Sequence, residues 1–160
     1  MAGFLDDLAE RAGAYTPEET AVARACFNAL LTGAPAAIPH LLRRLGMSAA
    51  TGTRVVAALA QEGVLAVDAD VVTVARGLSR PATPHQLQVN EGPVVYACCA
   101  VDAVGIPAAL GAEATIESGC HHCQAPLRLT VKDGAVTGDP PGIVIWAVER
   151  DLSRSLRAHT

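Results

Sequence analysis

Two groups of residues in this sequence have the types and spacing for soft-metal chemistry. The first is Cys99 and Asp102, three positions apart in an apolar run that reads as a helix, so both side chains are expected on one face and able to address one small site. A thiolate can hold a soft metal while a neighbouring carboxyl group relays a proton. Near a helix start, backbone N–H groups and the helix dipole help a thiol toward thiolate, whereas burial opposes ionisation; the sequence leaves the winner open. The plainer alternative keeps Cys98 and Cys99 as small core side chains, with Asp102 capping or pairing locally.

The second group is Cys120-His121-His122-Cys123, the spacing with which a tight turn aims two sulfurs at one metal. A tetrahedral site needs more ligands than that pair, and Cys98, Cys99, His121, His122 or an exogenous ligand are the candidates. The expected metal set is therefore Cys99, Cys120, Cys123, His121 and His122, with a soft or borderline metal ion as the candidate. A reduced thiol pair or a redox-active dithiol is the alternative; a thioredoxin-like assignment would require a β-α-β context that this stretch lacks. Cys26 lies beside Phe27 and Leu30 on an apolar helical face and reads as core. His40 reads as solvated, His85 as an exposed loop histidine close enough in sequence to lie over the site, and Trp146 as a packing anchor.

Composition narrows the function classes. Apolar residues make up 51% of the 160 residues but aromatics only 3%, so the core must be built from small aliphatic side chains. Up to Arg80 there are 7 basic and 8 acidic residues, and afterwards 5 and 8, which weighs against neutralising nucleic-acid phosphates in either half. No apolar run is long enough for a membrane span, and Met1 to Tyr15 carries acids rather than a basic start before an apolar stretch. Five cysteines, four of them within 26 residues, favour metal or thiol chemistry in a reducing compartment over a disulfide framework. A soluble cytoplasmic protein is expected.

The elements that must position these residues fall into two modules of an α+β protein. Phe4 to Ala14 has the spacing of a short amphipathic helix. Thr16-Pro17-Glu18-Glu19 opens a helix running toward Leu31, Ala36 to Leu45 reads as a second, and Ser48 caps a third that ends at Gly63. Val64 to Val67 and Val71 to Val74 flank Asp68-Ala69-Asp70 as a hairpin. Helices followed by a hairpin give residues 1–80 the order of a winged-helix module, although Arg54 is the only basic residue on the presumed recognition helix. Pro81 and Pro84 mark residues 81–91 as a connector. In residues 92–160, Pro93 is placed to start a helix over Val94 to Val104, ended by Gly105 and Pro107. Strands are expected at Ala114 to Glu117, Leu127 to Val131, Ala135 to Thr137 and Ile143 to Val148, then a frayed charged helix from Glu149 to Thr160.

Taken in order, Thr83-Pro84-His85, Tyr96-Ala97-Cys98-Cys99-Ala100-Val101-Asp102-Ala103 and Gly105-Ile106-Pro107-Ala108-Ala109-Leu110-Gly111 resemble the core of the organomercurial (alkylmercury) lyases. The likeness continues through Glu117-Ser118-Gly119-Cys120 and Ala125 to Val131 as far as Pro140-Pro141-Gly142, and covers approximately residues 20–148. It implies cleavage of a carbon–mercury bond, with two cysteines holding mercury, an aspartate delivering a proton to the departing carbon, and no required cofactor. On that resemblance Cys99 matches the first catalytic cysteine, Asp102 the aspartate, and Cys120 a further family cysteine considered structural. The family's second catalytic cysteine lies in a C-terminal segment, whereas no cysteine follows Cys123 here. The expectation is therefore a lyase-like protein acting on a small organometallic substrate, with Cys120 or Cys123 replacing the absent thiolate. A non-catalytic zinc or heavy-metal sensing module and a scaffold reassigned to another lyase or biosynthetic reaction are the alternatives.

Overall fold

The computed structural model describes residues 15–145. Helix α1 (Pro17–Leu31) begins with a reciprocal cap: the Glu19 backbone N–H donates to Thr16 Oγ1 at 3.2 Å, and the Thr16 N–H donates to the Glu19 carboxylate at 2.8 Å. Helices α2 (Ile38–Arg44) and α3 (Ala49–Gln61) follow, the latter capped by Ser48. Strands β1 (Leu65–Asp68) and β2 (Val71–Ala75) then form the expected hairpin, with Ala69 and Asp70 both at positive φ in the turn. The segment between α1 and α2 is tied to this hairpin, since the Ile38 N–H donates to the Asp70 carbonyl and the Val72 N–H to the Ala36 carbonyl.

The connector forms part of the sheet. A two-residue turn at Arg76-Gly77 leads from β2 into β3 (Leu78–Ser79), and the expected connecting stretch contains β4 (Gln86–Val89). The run after Pro93 also differs from expectation: Val94–Ala97 is strand β5, and the helix, α4, spans Ala100–Leu110. A continuous apolar run fits a buried strand as well as a buried helix, and the Val-Val-Tyr composition with pairing on both sides selects the strand. Gly105 and Pro107 do not end α4; Pro107 is buried within it, and the stop comes at Gly111 in the left-handed conformation, φ 60°. Packing of an almost wholly apolar helix on the sheet overrides the local break that Pro107 predicts.

Strands β6 (Ala114–Gly119), β7 (Pro126–Lys132) and β8 (Ala135–Asp139) complete one antiparallel sheet among the described residues, in the order β1-β2-β3-β5-β4-β6-β7-β8. Short β3 joins the hairpin of the helical part to the strands that follow. One cluster of buried side chains, including Val22, Leu59, Val72, Leu78, Leu87 and Ile116, runs through both parts. Ile143 to Ile145 are not in a strand; the rest of that expected strand, the helix over Phe4 to Ala14, the tail from Glu149 and Trp146 lie outside the described residues. Among the described residues no helix is long and apolar enough to cross a membrane.

Candidate active site

Because β5 ends at Ala97, Cys99 stands before the helix as the N-cap of α4, with extended backbone (φ −150°, ψ 171°). Asp102 is the third residue of the helix. The two side chains do meet, through capping geometry rather than a shared helical face. The Asp102 backbone N–H donates to Cys99 Sγ at 3.4 Å, and the Cys99 thiol donates to Asp102 Oδ2 at 3.0 Å. Cys99 is half-buried. Burial, then the hydrogen bond to the Asp102 carboxylate, push its pKa up against the lowering effect of the backbone N–H groups of Asp102 and Val101. Of the two opposing influences named from the sequence, burial outweighs the backbone N–H groups and favours the thiol form.

Two residues outside the expected set, Gly77 and His85, border this pair. Gly77, at φ +84°, lies so close to Asp102 that a Cβ there would stand 2.6 Å from Oδ1 and 2.7 Å from Cγ. Its carbonyl also accepts the Cys98 N–H at 2.7 Å, so the β2–β3 turn braces the start of α4. His85, read from sequence as an exposed loop residue, is partly buried and its Nδ1 lies 2.8 Å from Ser118 Oγ on β6. Burial holds the His85 pKa below the ordinary histidine value, with the negative charge of Asp102 pulling the other way. Its carbonyl accepts the Ala97 N–H at 2.9 Å, and Thr83 Oγ1 donates to the Ala97 carbonyl at 2.7 Å. The Thr83-Pro84-His85 motif was the available signal for His85. Gly77 could be found only by knowing what approaches it.

Cys120 and Cys123 bound a tight turn directly after β6. The Cys120 N–H donates to the Ala125 carbonyl at 2.9 Å, the Gln124 N–H to the Cys120 carbonyl at 2.8 Å, and Gln124 adopts φ 59°. The nearby backbone N–H groups of Cys123 and His122, then the Cys123 side chain, hold the Cys120 pKa below the ordinary thiol value. Cys123, His121 and His122 are exposed. Among the described residues, no group of three or more His, Cys, Asp or Glu side chains is placed to hold a metal ion. The expected convergence of Cys99, Cys120, Cys123, His121 and His122, and with it a four-coordinate zinc site, is therefore not assembled there: α4 begins on β5, the Cys120 turn follows β6, and β4 lies between those strands. Cys26 is fully buried, which raises its pKa to about 11, in keeping with a core role. A cleft of about 500 Å³ opens beside Pro84, Ser118 and Pro140 but is not lined by Cys99 or Asp102.

Comparison with known proteins agrees with the site's surroundings. The chain is 39% identical over 82 residues to an alkylmercury lyase of Streptomyces lividans, an alignment covering 51% of this chain and 38% of that protein. It is 37% identical over 92 residues to one of Bacillus cereus, covering 57% and 42%. A Pseudomonas putida alkylmercury lyase aligns at 30% identity over 129 residues, 80% of this chain and 59% of that one. The chain thus spans about two fifths of the length of the first two relatives. Among solved structures, the mercury-bound form of MerB2 superposes with a TM-score of 0.79 at 28% identity, covering 89% of this chain and 70% of the other. The alkylmercury lyase family model matches residues 78–160, more than half of the sequence and the part that holds Cys99, Asp102 and the Cys120 turn, and the chain belongs to that family.

Proposed function

We propose that this chain cleaves carbon–mercury bonds by protonolysis at Cys99 and Asp102. The observation that carries the reading is the 3.0 Å contact between the Cys99 thiol and the Asp102 carboxylate. An organomercurial R–Hg–X meets the sulfur; the S–Hg bond forms, X leaves as an anion, and the S–H proton passes to Asp102. The protonated carboxyl group then delivers that proton to the carbon as the C–Hg bond breaks. R–H departs, Asp102 is again a carboxylate, and Hg(II) stays on Cys99 with a second ligand from solution. Mercury remains divalent throughout, so the reaction requires no redox partner and no cofactor. Soft thiolate ligation favours mercury over hard cations.

In this reading the chain divides its labour. The described residues up to Arg80 serve as a winged-helix-like support: α1 to α3 followed by the β1–β2 hairpin have the matching order, while Arg54 as the sole basic residue of α3 argues against a nucleic-acid partner. Residues 81–91 supply β4 of the shared sheet, and residues 92–160 carry the thiol chemistry. The free cysteines suit a reducing compartment, the cytoplasm. Incubation with phenylmercuric acetate is expected to release benzene and leave Hg(II), and Cys99→Ser is expected to abolish the release. Failure of the unmodified chain to form benzene would remove the proposal.

A further inference from the structure

We propose that the Cys120–Cys123 turn is a second mercury station, a two-sulfur site that takes Hg(II) from Cys99 after cleavage. The idea rests on the lyase reading for the source of its cargo but has its own structural basis. Cys120 and Cys123 stand at the two ends of one tight turn, the spacing that can bring two sulfurs to a single metal ion. The turn holding them is closed by the Cys120–Ala125 and Gln124–Cys120 backbone bonds, with Gln124 Nε2 donating to the His121 carbonyl at 3.2 Å. Cys123 is exposed, whereas Cys99 is half-buried, which orders the stations from inside to outside.

Their placement follows from the sheet. Strands β5 and β6 both run antiparallel to β4, so they run parallel to each other and leave the sheet at the same end. Ala97 and Ser118 flank His85 on either side, and each thiol group begins two residues further on: Cys99 beyond Ala97, Cys120 beyond Ser118. The backbone separation at that level is two interstrand spacings, about 10 Å. Transfer is a ligand exchange without a change in oxidation state. Cys99–S–Hg–X gives up mercury to the pair, two S–Hg bonds form, one displaced thiol proton returns to Cys99 and the other leaves with X. Once the first sulfur has bound, the second binds intramolecularly, which raises retention roughly 100-fold or more over a single thiol.

The test loads the full chain with mercuric chloride, then passes it through gel filtration in millimolar glutathione, which strips mercury from single thiols. Cys99→Ser is expected to keep one mercury per chain, and adding Cys123→Ser to that variant to lose it; Cys123 is exposed, so the second change spares the core. Retention that survives the Cys123 change, or no retention by Cys99→Ser alone, overturns the proposal. With phenylmercuric acetate as substrate and limiting free thiol, Cys123→Ser is expected to stall after the first turnovers and to recover with dithiothreitol; sustained turnover equal to the unmodified chain counts against the second station. If no chain releases benzene, the lyase reading fails and the loading experiment still decides the station.

Discussion

The Cys99–Asp102 pair and the Cys120–Cys123 turn use similar parts to opposite ends. Both place a sulfur beside backbone N–H groups that favour its ionised form, those of Asp102 and Val101 in one case and of Cys123 and His122 in the other. At Cys120 those bonds prevail and lower the pKa. At Cys99 the same kind of bond is outweighed by burial and by the adjacent carboxylate, and the pKa rises. A helix start therefore does not by itself make a thiolate; solvent access and the neighbour's charge decide. Under the proposed function, that contrast divides a site that keeps a proton ready for delivery from one that presents sulfur to a metal.

The largest way to break this contrast is Asp102→Asn. Removing a positioned proton donor is expected to slow benzene release by about 10²- to 10⁴-fold. The same change removes the negative charge that helps raise the Cys99 pKa, so alkylation of Cys99 at neutral pH is expected to accelerate. A fall in both rates would mean that Asp102 serves chiefly to hold the local structure.

Gly77→Ala should have the next largest effect. The new Cβ would occupy space taken by the Asp102 carboxyl group, and the φ of +84° disfavours any side chain. A stability loss of about 1–3 kcal/mol, read by chemical denaturation, is expected from a strained backbone position of this kind. Benzene release measured well below the unfolding transition should fall as well, because the thiol–carboxyl contact is displaced. An unchanged cleavage rate would show that the brace from the β2–β3 turn is dispensable.

The mildest test sharpens the comparison without changing the protein. Iodoacetamide labelling across pH, followed site by site by mass spectrometry, is expected to reach half-maximal rate at lower pH for Cys120 than for Cys99. The sign follows from the two shifts: a lowered pKa supplies thiolate earlier as pH rises, and a raised one supplies it later. Reversal of that order would undo the assignment of proton-holding and metal-presenting roles.

Much of the helical half was legible because its signals are local. Thr16-Pro17-Glu18-Glu19 specifies a capped helix start, Ser48 another, and Ala69-Asp70 and Asp133-Gly134 specify the two-residue turns that the structure contains. The region around the site was read less well. Val94 to Val104 has one hydropathy but two fates, strand to Ala97 and helix from Ala100, and the partners that choose between them, β3 and β4, came from the stretch taken as a connector. Cys99 and Asp102 were paired correctly for a reason that needed revision, since a residue before a helix and the third residue within it meet as a cap does.

Residue types and short spacings determined that Cys99 and Asp102 would be neighbours, a thiol beside a carboxyl group. That outcome depends on a few adjacent backbone angles, which the local sequence largely fixes. Only the tertiary structure decided that burial raises the Cys99 pKa, that Gly77 and His85 border the site, and that the Cys120 turn stands apart from it at the same end of the sheet. These depend on burial and on contacts between strands distant in sequence, and such long-range pairing has no signature in any single stretch of the chain.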